Sequence, residues 1–261
     1  MTKELSGRHE LKNLPERVVF KNSRGLNLVG DLYISDTSSV IVMCHGLAYD
    51  RSTVGRFDKA AKSFNERGFN VFKFDFSGCG ESDYDTLTTD KQIDDLKSAL
   101  KFVESKGLNK IGLLGNSFGG FISLKVCGKK IGAMVLWAPV TNAAINPEKY
   151  YGNKGLEQLK REGKITRIRA GSLREKTDID DKLFKEWKNI DQKELLFPIG
   201  IPVFIVHGDR DTRLPLSDSR NAIKYLPSES KLQVVEGADH YLEIGFDDYV
   251  GKTADWFKTH L

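Results

Sequence analysis

A serine with glycines two residues before and two after it sits at the centre of Gly115-Asn116-Ser117-Phe118-Gly119-Gly120. A serine hydroxyl is a poor nucleophile at neutral pH. It becomes useful only where a base takes its proton and a third group orients that base. Of the five histidines, His9 and His260 lie in charged terminal segments and are expected to be solvated. His45, His207 and His240 each end or closely follow an apolar, β-rich run, where catalytic groups gather in open parallel sheets. His240, in Glu236-Gly237-Ala238-Asp239-His240, is favoured because it gives the chain order nucleophile, acid, base that a strand-to-helix nucleophile elbow uses.

The acid is sought between them, in Val206-His207-Gly208-Asp209-Arg210-Asp211-Thr212-Arg213-Leu214-Pro215. Asp211 lies deeper in the loop and is better placed to turn back toward His240. Asp209 is expected to cap the turn through an Asx hydrogen bond. Asp239 is a poorer alternative, since adjacent residues point in different directions. The charge that develops on a substrate oxygen needs backbone donors aimed at it. Those expected are the N–H of Phe118 and, from the loop His45-Gly46-Leu47-Ala48, the N–H of Leu47.

Residues so far apart need a scaffold that gathers strand ends. The runs 17–22 and 26–34 around Ser23-Arg24-Gly25 predict a hairpin. Ser39 to Cys44 reads as a strand covered on both faces. Helical spacing of Phe57, Ala60, Ala61 and Phe64 follows, and then the alternation repeats. Strands are expected at 70–76, 110–114, 132–137, 201–207 and 231–235, with helices at 89–104, 118–126, 217–226 and 247–260. The class is α/β, with a doubly wound, mostly parallel sheet. Residues 141–199 break the rhythm and carry no run resembling a buried strand. They are expected to form an inserted helical cap on a core built from 1–140 and 200–261.

The charge, +4 over 261 residues, gives no nucleic-acid patch, and the loosely basic stretch Lys160 to Arg174 reads as solvated surface. Cys44, Cys79 and Cys127 are odd in number and lack metal-ligand spacing, so neither a disulfide framework nor a metal site is expected. Gly78-Cys79-Gly80 lacks the third glycine of a dinucleotide turn and reads as a structural turn. Without a signal-like or membrane-length apolar segment, a soluble cytoplasmic protein with no membrane partner is expected, as monomer or homodimer.

With HGLAYDRS, DFSGCGES, LLGNSFGG, HGDRDTRLP and GADHY in order, the chain resembles the α/β-hydrolase superfamily from about Arg17 onward. Within it, the chain is most similar to the small carboxylesterases of the cinnamoyl (feruloyl) esterase and monoacylglycerol-lipase-like branch. The resemblance implies the α/β-hydrolase fold, with Ser117 as nucleophile, Asp211 as acid, His240 as base, and Leu47 and Phe118 as oxyanion donors. It implies acyl transfer through an acyl-enzyme on a small-molecule ester, without metal or organic cofactor. Substrate choice would lie with the cap, where Tyr150, Tyr151, Phe184, Trp187 and Phe197, with Trp137 at its root, could wall a pocket, and His45 is a further candidate for substrate binding. The same triad would serve an acyl-peptidase or a thioesterase, and a non-catalytic binding protein could retain the fold.

Overall fold

In the computed structural model, which describes residues 14–143 and 147–261, the apolar runs are gathered into one eight-stranded sheet. Strands β1 (Glu16–Lys21) and β2 (Asn27–Tyr33) form the expected hairpin. Then follow β3 (Ser39–Cys44), α1 (Arg56–Glu66), β4 (Asn70–Phe74), α2 (Thr89–Ser105), β5 (Lys110–Asn116), α3 (Phe118–Val126) and β6 (Ile131–Trp137). An insertion follows, with α4 (Pro147–Glu162), β7 (Lys164–Ile168), β8 (Lys176–Asp180), α5 (Asp181–Lys188) and α6 (Gln192–Leu196). The chain then returns to the core with β9 (Val203–Gly208), α7 (Leu216–Ala222), β10 (Lys231–Val235) and α8 (Phe246–His260).

The sheet order is β1-β2-β4-β3-β5-β6-β9-β10, antiparallel at the β1-β2 and β2-β4 pairs and parallel from β4 onward. The pleat of β3 explains why its apolar run has no polar face. Val40, Val42 and Cys44 join the core beneath α2 and α3, while Ile41 and Met43 join the core beneath α1 and α8. The α1 residues Phe57, Ala60, Ala61 and Phe64 are all buried. Helices thus cover both faces, and because β3, β5, β6, β9 and β10 run parallel their carboxyl ends lie on one side of the sheet.

The insertion differs from the helical reading. It holds a two-stranded antiparallel sheet, β7-β8, between its helices. One apolar cross-strand pair, Ile165↔Ile179, is buried. The hairpin is docked rather than self-sufficient. Leu87 donates its N–H to the Asp178 carbonyl at 2.8 Å, and Asp180 donates to the Leu87 carbonyl at 3.1 Å. Such pairing to the core supplies what two short polar strands lack by themselves.

Candidate active site

Strand β5 ends at Asn116 and α3 begins at Phe118, so Ser117 alone turns the corner, with φ 54° and ψ −116°. A non-glycine residue held at such angles costs roughly 1–3 kcal/mol. Its neighbours hold it there: the Ser117 N–H donates to the Trp137 carbonyl at 2.9 Å, and the Val140 N–H donates to the Ser117 carbonyl at 3.1 Å. The flanking glycines are required sterically. A Cβ on Gly115 would lie 2.5 Å from the Gly120 Cα, and one on Gly119 would lie 2.2 Å from the Cys44 carbonyl oxygen.

The loops after β9 and β10 bring the other two residues to this serine. His240 Nε2 lies 3.1 Å from Ser117 Oγ, and His240 Nδ1 lies 2.7 Å from Asp211 Oδ2. With the carboxylate ionised, Nδ1 carries the ring proton and Nε2 faces the serine hydroxyl as an acceptor. The His240 side chain is 12% exposed and that of Asp211 is fully buried. Asp211 Oδ1 accepts the N–H groups of Arg213 and Leu214 at 2.8 and 2.9 Å. The Asx turn therefore belongs to Asp211 and not to Asp209, whose Oδ1 instead accepts the Gly237 N–H at 2.7 Å and ties the two loops together.

His207 contributes what the sequence did not disclose. It lies fully buried beneath the acid, with Nε2 3.2 Å from Asp211 Oδ2 and 3.0 Å from the Leu214 carbonyl. A carbonyl only accepts, so Nε2 carries the proton; Nδ1 then accepts from the Ser219 hydroxyl at 2.7 Å. Burial pushes the Asp211 pKa up, but hydrogen bonds from His207, His240 and the Leu214 N–H outweigh it and hold the carboxyl well below its usual range. The carboxylate is fixed as an anion, as an orienting group requires.

Ser117 and His240 open on a cavity of about 170 Å³, which Leu47, Tyr150, Tyr151 and Trp187 also line. Among the described residues, neither the Leu47 nor the Phe118 N–H donates to a backbone carbonyl outside regular elements. The Leu47 carbonyl is clamped by Arg167 Nη1 at 2.8 Å, so the basic stretch read as solvated surface reaches into the site. His45 does not line the cavity. It is buried, with Nδ1 2.8 Å from the Gly46 carbonyl and Nε2 accepting the Phe76 N–H at 3.2 Å, and it shapes the loop before Leu47. Burial pushes its pKa down, in keeping with the neutral ring those bonds require.

Trp137 does not line the cavity either. It is buried on the opposite side of the sheet between Phe57 and Tyr249, with Nε1 donating to Thr253 Oγ1 at 3.2 Å. Phe184 packs behind the cavity against Tyr151 and Trp187, and Phe197 faces solvent. Gly78-Cys79-Gly80 forms a turn closed by the Cys79 N–H on the Phe76 carbonyl at 3.0 Å. His9 lies outside the described residues. Among those described, no His, Cys, Asp and Glu group is arranged to hold a metal, and no helix is long and apolar enough to cross a membrane.

Comparison with known proteins agrees with this fold and family. Over 251 residues the chain is 25% identical to the acylamino-acid-releasing enzyme 1 of Oryza sativa subsp. japonica, covering 87% of this chain but only 31% of that protein. It is 24% identical over 281 residues to the monoacylglycerol lipase of Mycolicibacterium smegmatis, covering 93% of this chain and 96% of the lipase. Among solved structures, DcsB in complex with its substrate analogue superposes with a TM-score of 0.81 at 19% identity, covering 95% of this chain and 100% of that one. The Pyrococcus furiosus esterase Pf2001 gives 0.73 at 19% identity, covering 97% and 93%. Residues 35–175 match the model of the family described as serine aminopeptidase, S33. The chain belongs to that family of hydrolases, and its fold is that of the α/β hydrolases.

Proposed function

We propose that the chain is a serine carboxylesterase acting on small to medium acyl or hydroxycinnamoyl esters through an acyl-enzyme. The observation that carries this reading is the hydrogen-bonded line Ser117 Oγ, His240 and Asp211, at 3.1 and 2.7 Å, at the mouth of a cavity. Ser117 Oγ attacks the ester carbonyl while His240 Nε2 takes its proton. The C–O bond to the alcohol breaks as His240 returns the proton, and water then releases the acid by the same route. The N–H groups of Leu47 and Phe118 serve the developing oxyanion, with the positive end of α3 beneath it. Residues 141–199 act as a cap, in which Tyr150, Tyr151 and Trp187 supply the wall. A cavity near 170 Å³ takes about one benzene-sized group, the room for a short acyl chain or for the ring of a hydroxycinnamoyl group.

The second reading, an acyl-peptidase, is favoured by the likeness to the rice enzyme. An aminopeptidase acting on free amino termini is not favoured: it must hold an ammonium group, and among the described residues no carboxylate lines the cavity. Fluorophosphonate labelling of the protein and of Ser117→Ala tests the nucleophile; labelling that survives the substitution refutes it. Turnover of p-nitrophenyl esters, hydroxycinnamate esters, acyl-CoA and acyl-peptide anilides then separates the substrate classes, and a preference for anilides overturns the esterase reading.

A further inference from the structure

The cavity at Ser117 is lined by Arg56, Arg167 and Arg213, with no carboxylate facing them from its wall among the described residues. Their partners are neutral oxygens. Arg167 Nη1 meets the Leu47 carbonyl at 2.8 Å, and Arg213 Nη2 meets the Tyr241 hydroxyl at 2.7 Å. Arg56 meets the Tyr241 carbonyl and, at 3.5 Å, Asn116 Oδ1. Arg51, close by in sequence, shows the contrast: its three nitrogens pair with Asp31, Asp75 and Glu81. The nearest acid to Arg213 in sequence, Asp211, is already committed to two histidines and two backbone N–H groups.

A guanidinium drawn partly out of water without a counter-charge is unfavourable, and an arriving anion relieves it. The positive field reaches the cavity wall. Burial pushes the Tyr49 phenol up, yet its hydrogen bond with Tyr241 and the charges of Arg169 and Arg167 hold it below its ordinary value. Arg169 stacks 3.4 Å from the centroid of that ring. Planar guanidinium groups present paired donors that match a carboxylate, and tyrosine hydroxyls extend the set. The small volume limits the distance between that carboxylate and the scissile carbonyl to a few bonds.

We propose that the substrate is an ester bearing a second group, a free carboxylate, which the guanidinium groups of Arg213 and Arg167 bind while Ser117 attacks the ester carbonyl. The proposal rests on the esterase reading for its turnover and on the arginines for its binding, and the two are tested apart. Binding is measured by calorimetry in Ser117→Ala with monomethyl adipate and with neutral dimethyl adipate. A charge-assisted pair gives the monoanion an advantage of about tenfold or more. That advantage falls to about threefold or less in Ser117→Ala/Arg213→Gln, returns in part with Arg213→Lys, and shrinks with added salt. Equal affinities, or an advantage that Arg213→Gln leaves intact, overturn the proposal.

Turnover by the unsubstituted enzyme then locates the carboxylate. Mono-p-nitrophenyl adipate against methyl p-nitrophenyl adipate probes the acyl side, and O-butyryl glycolate against O-butyryl glycolamide probes the alcohol side. A higher kcat/KM for the anion in either pair is expected and names the side; preference for the neutral ester in both overturns the proposal. If no ester turns over and Ser117 takes no fluorophosphonate, the esterase reading fails, and the calorimetric ratio still decides for or against the anion site.

Discussion

Asp211→Asn separates the orienting role of the carboxylate from its place in the fold. The side chain meets donors on both oxygens: His240 Nδ1 at 2.7 Å and His207 Nε2 at 3.2 Å on Oδ2, and the N–H groups of Arg213 and Leu214 at 2.8 and 2.9 Å on Oδ1. The two backbone donors cannot move without the loop, so the new amide places its oxygen toward them and its NH2 toward His240. A histidine facing a donor adopts the other tautomer, with Nδ1 accepting and Nε2 pointing its proton at Ser117. It can no longer take the serine's proton. The corresponding exchange in another serine hydrolase lowers kcat about 10⁴-fold, about 5 kcal/mol of barrier. His207 loses Oδ2 as an acceptor but keeps its bonds to the Leu214 carbonyl and Ser219 at 3.0 and 2.7 Å, so the loop and the fold persist. On p-nitrophenyl butyrate, kcat is expected to fall about 10³- to 10⁴-fold with KM changed by less than about threefold and circular dichroism unchanged. Asp209→Asn is the control, because its carboxylate meets the Gly237 N–H and not the histidine. A loss of less than about tenfold in Asp211→Asn, or an equal loss in Asp209→Asn, refutes the assignment.

Ser117→Gly is expected to raise stability in urea by about 1 kcal/mol while abolishing turnover, because relief at φ 54° exceeds the entropy glycine adds to the unfolded chain; a loss of stability counts against a strained elbow. Arg167→Met releases the Leu47 carbonyl, and kcat is expected to fall about tenfold, of the order of one charge-assisted hydrogen bond. Unchanged kcat with neutral esters would show that the clamp does not position the oxyanion loop. Glu81 is held down to about 2 by hydrogen bonds from Arg17 and Arg51. A carboxylate whose folded pKa lies below its unfolded value adds stability above the unfolded value and loses it as pH falls toward the folded one. The melting temperature is therefore expected to drop between about pH 4.3 and pH 2, less steeply in Glu81→Gln, which starts lower at neutral pH. Parallel curves for the two proteins would exclude Glu81 as a source of the acid sensitivity.

The scaffold was legible where burial leaves a periodic trace. Val40 to Cys44 alternates between two cores, so every position had to be apolar, and Phe57, Ala60, Ala61 and Phe64 had to share one helical face. The elbow was legible because its steric demand is local: Gly115 and Gly119 stand where any side chain would meet backbone. Trp137 was misplaced because the pleat sends successive strand residues to opposite faces. Its register opposite Asn116 and Val206 directs it to α1 and α8, away from the serine. His207 was hidden for another reason: only the folded loop shows that its Nε2 lies beneath Asp211 rather than beside Ser117.

The insertion was least legible, and the physical reason bears on specificity. Strand β7 carries the polar sequence KITRI and is held by pairing with β8, where Ile165 lies opposite Ile179, while β8 in turn is tied to the core by backbone bonds to Leu87; none of this leaves a sequence period. Once the segment is known to be a strand, the alternation of side chains puts Arg167 on the same face as buried Ile165. That face looks onto the Leu47 loop, and Arg169, just past the strand, lies over Tyr49. A charge run that reads as solvent-facing along a helix places, along a strand, Arg167 on the Leu47 carbonyl at the cavity wall and Arg169 over Tyr49. The proposed catalytic residues are set by local sterics and chain order, whereas Arg167, one of the two arginines of the proposed anion site, depends on a hairpin held in place by tertiary contact.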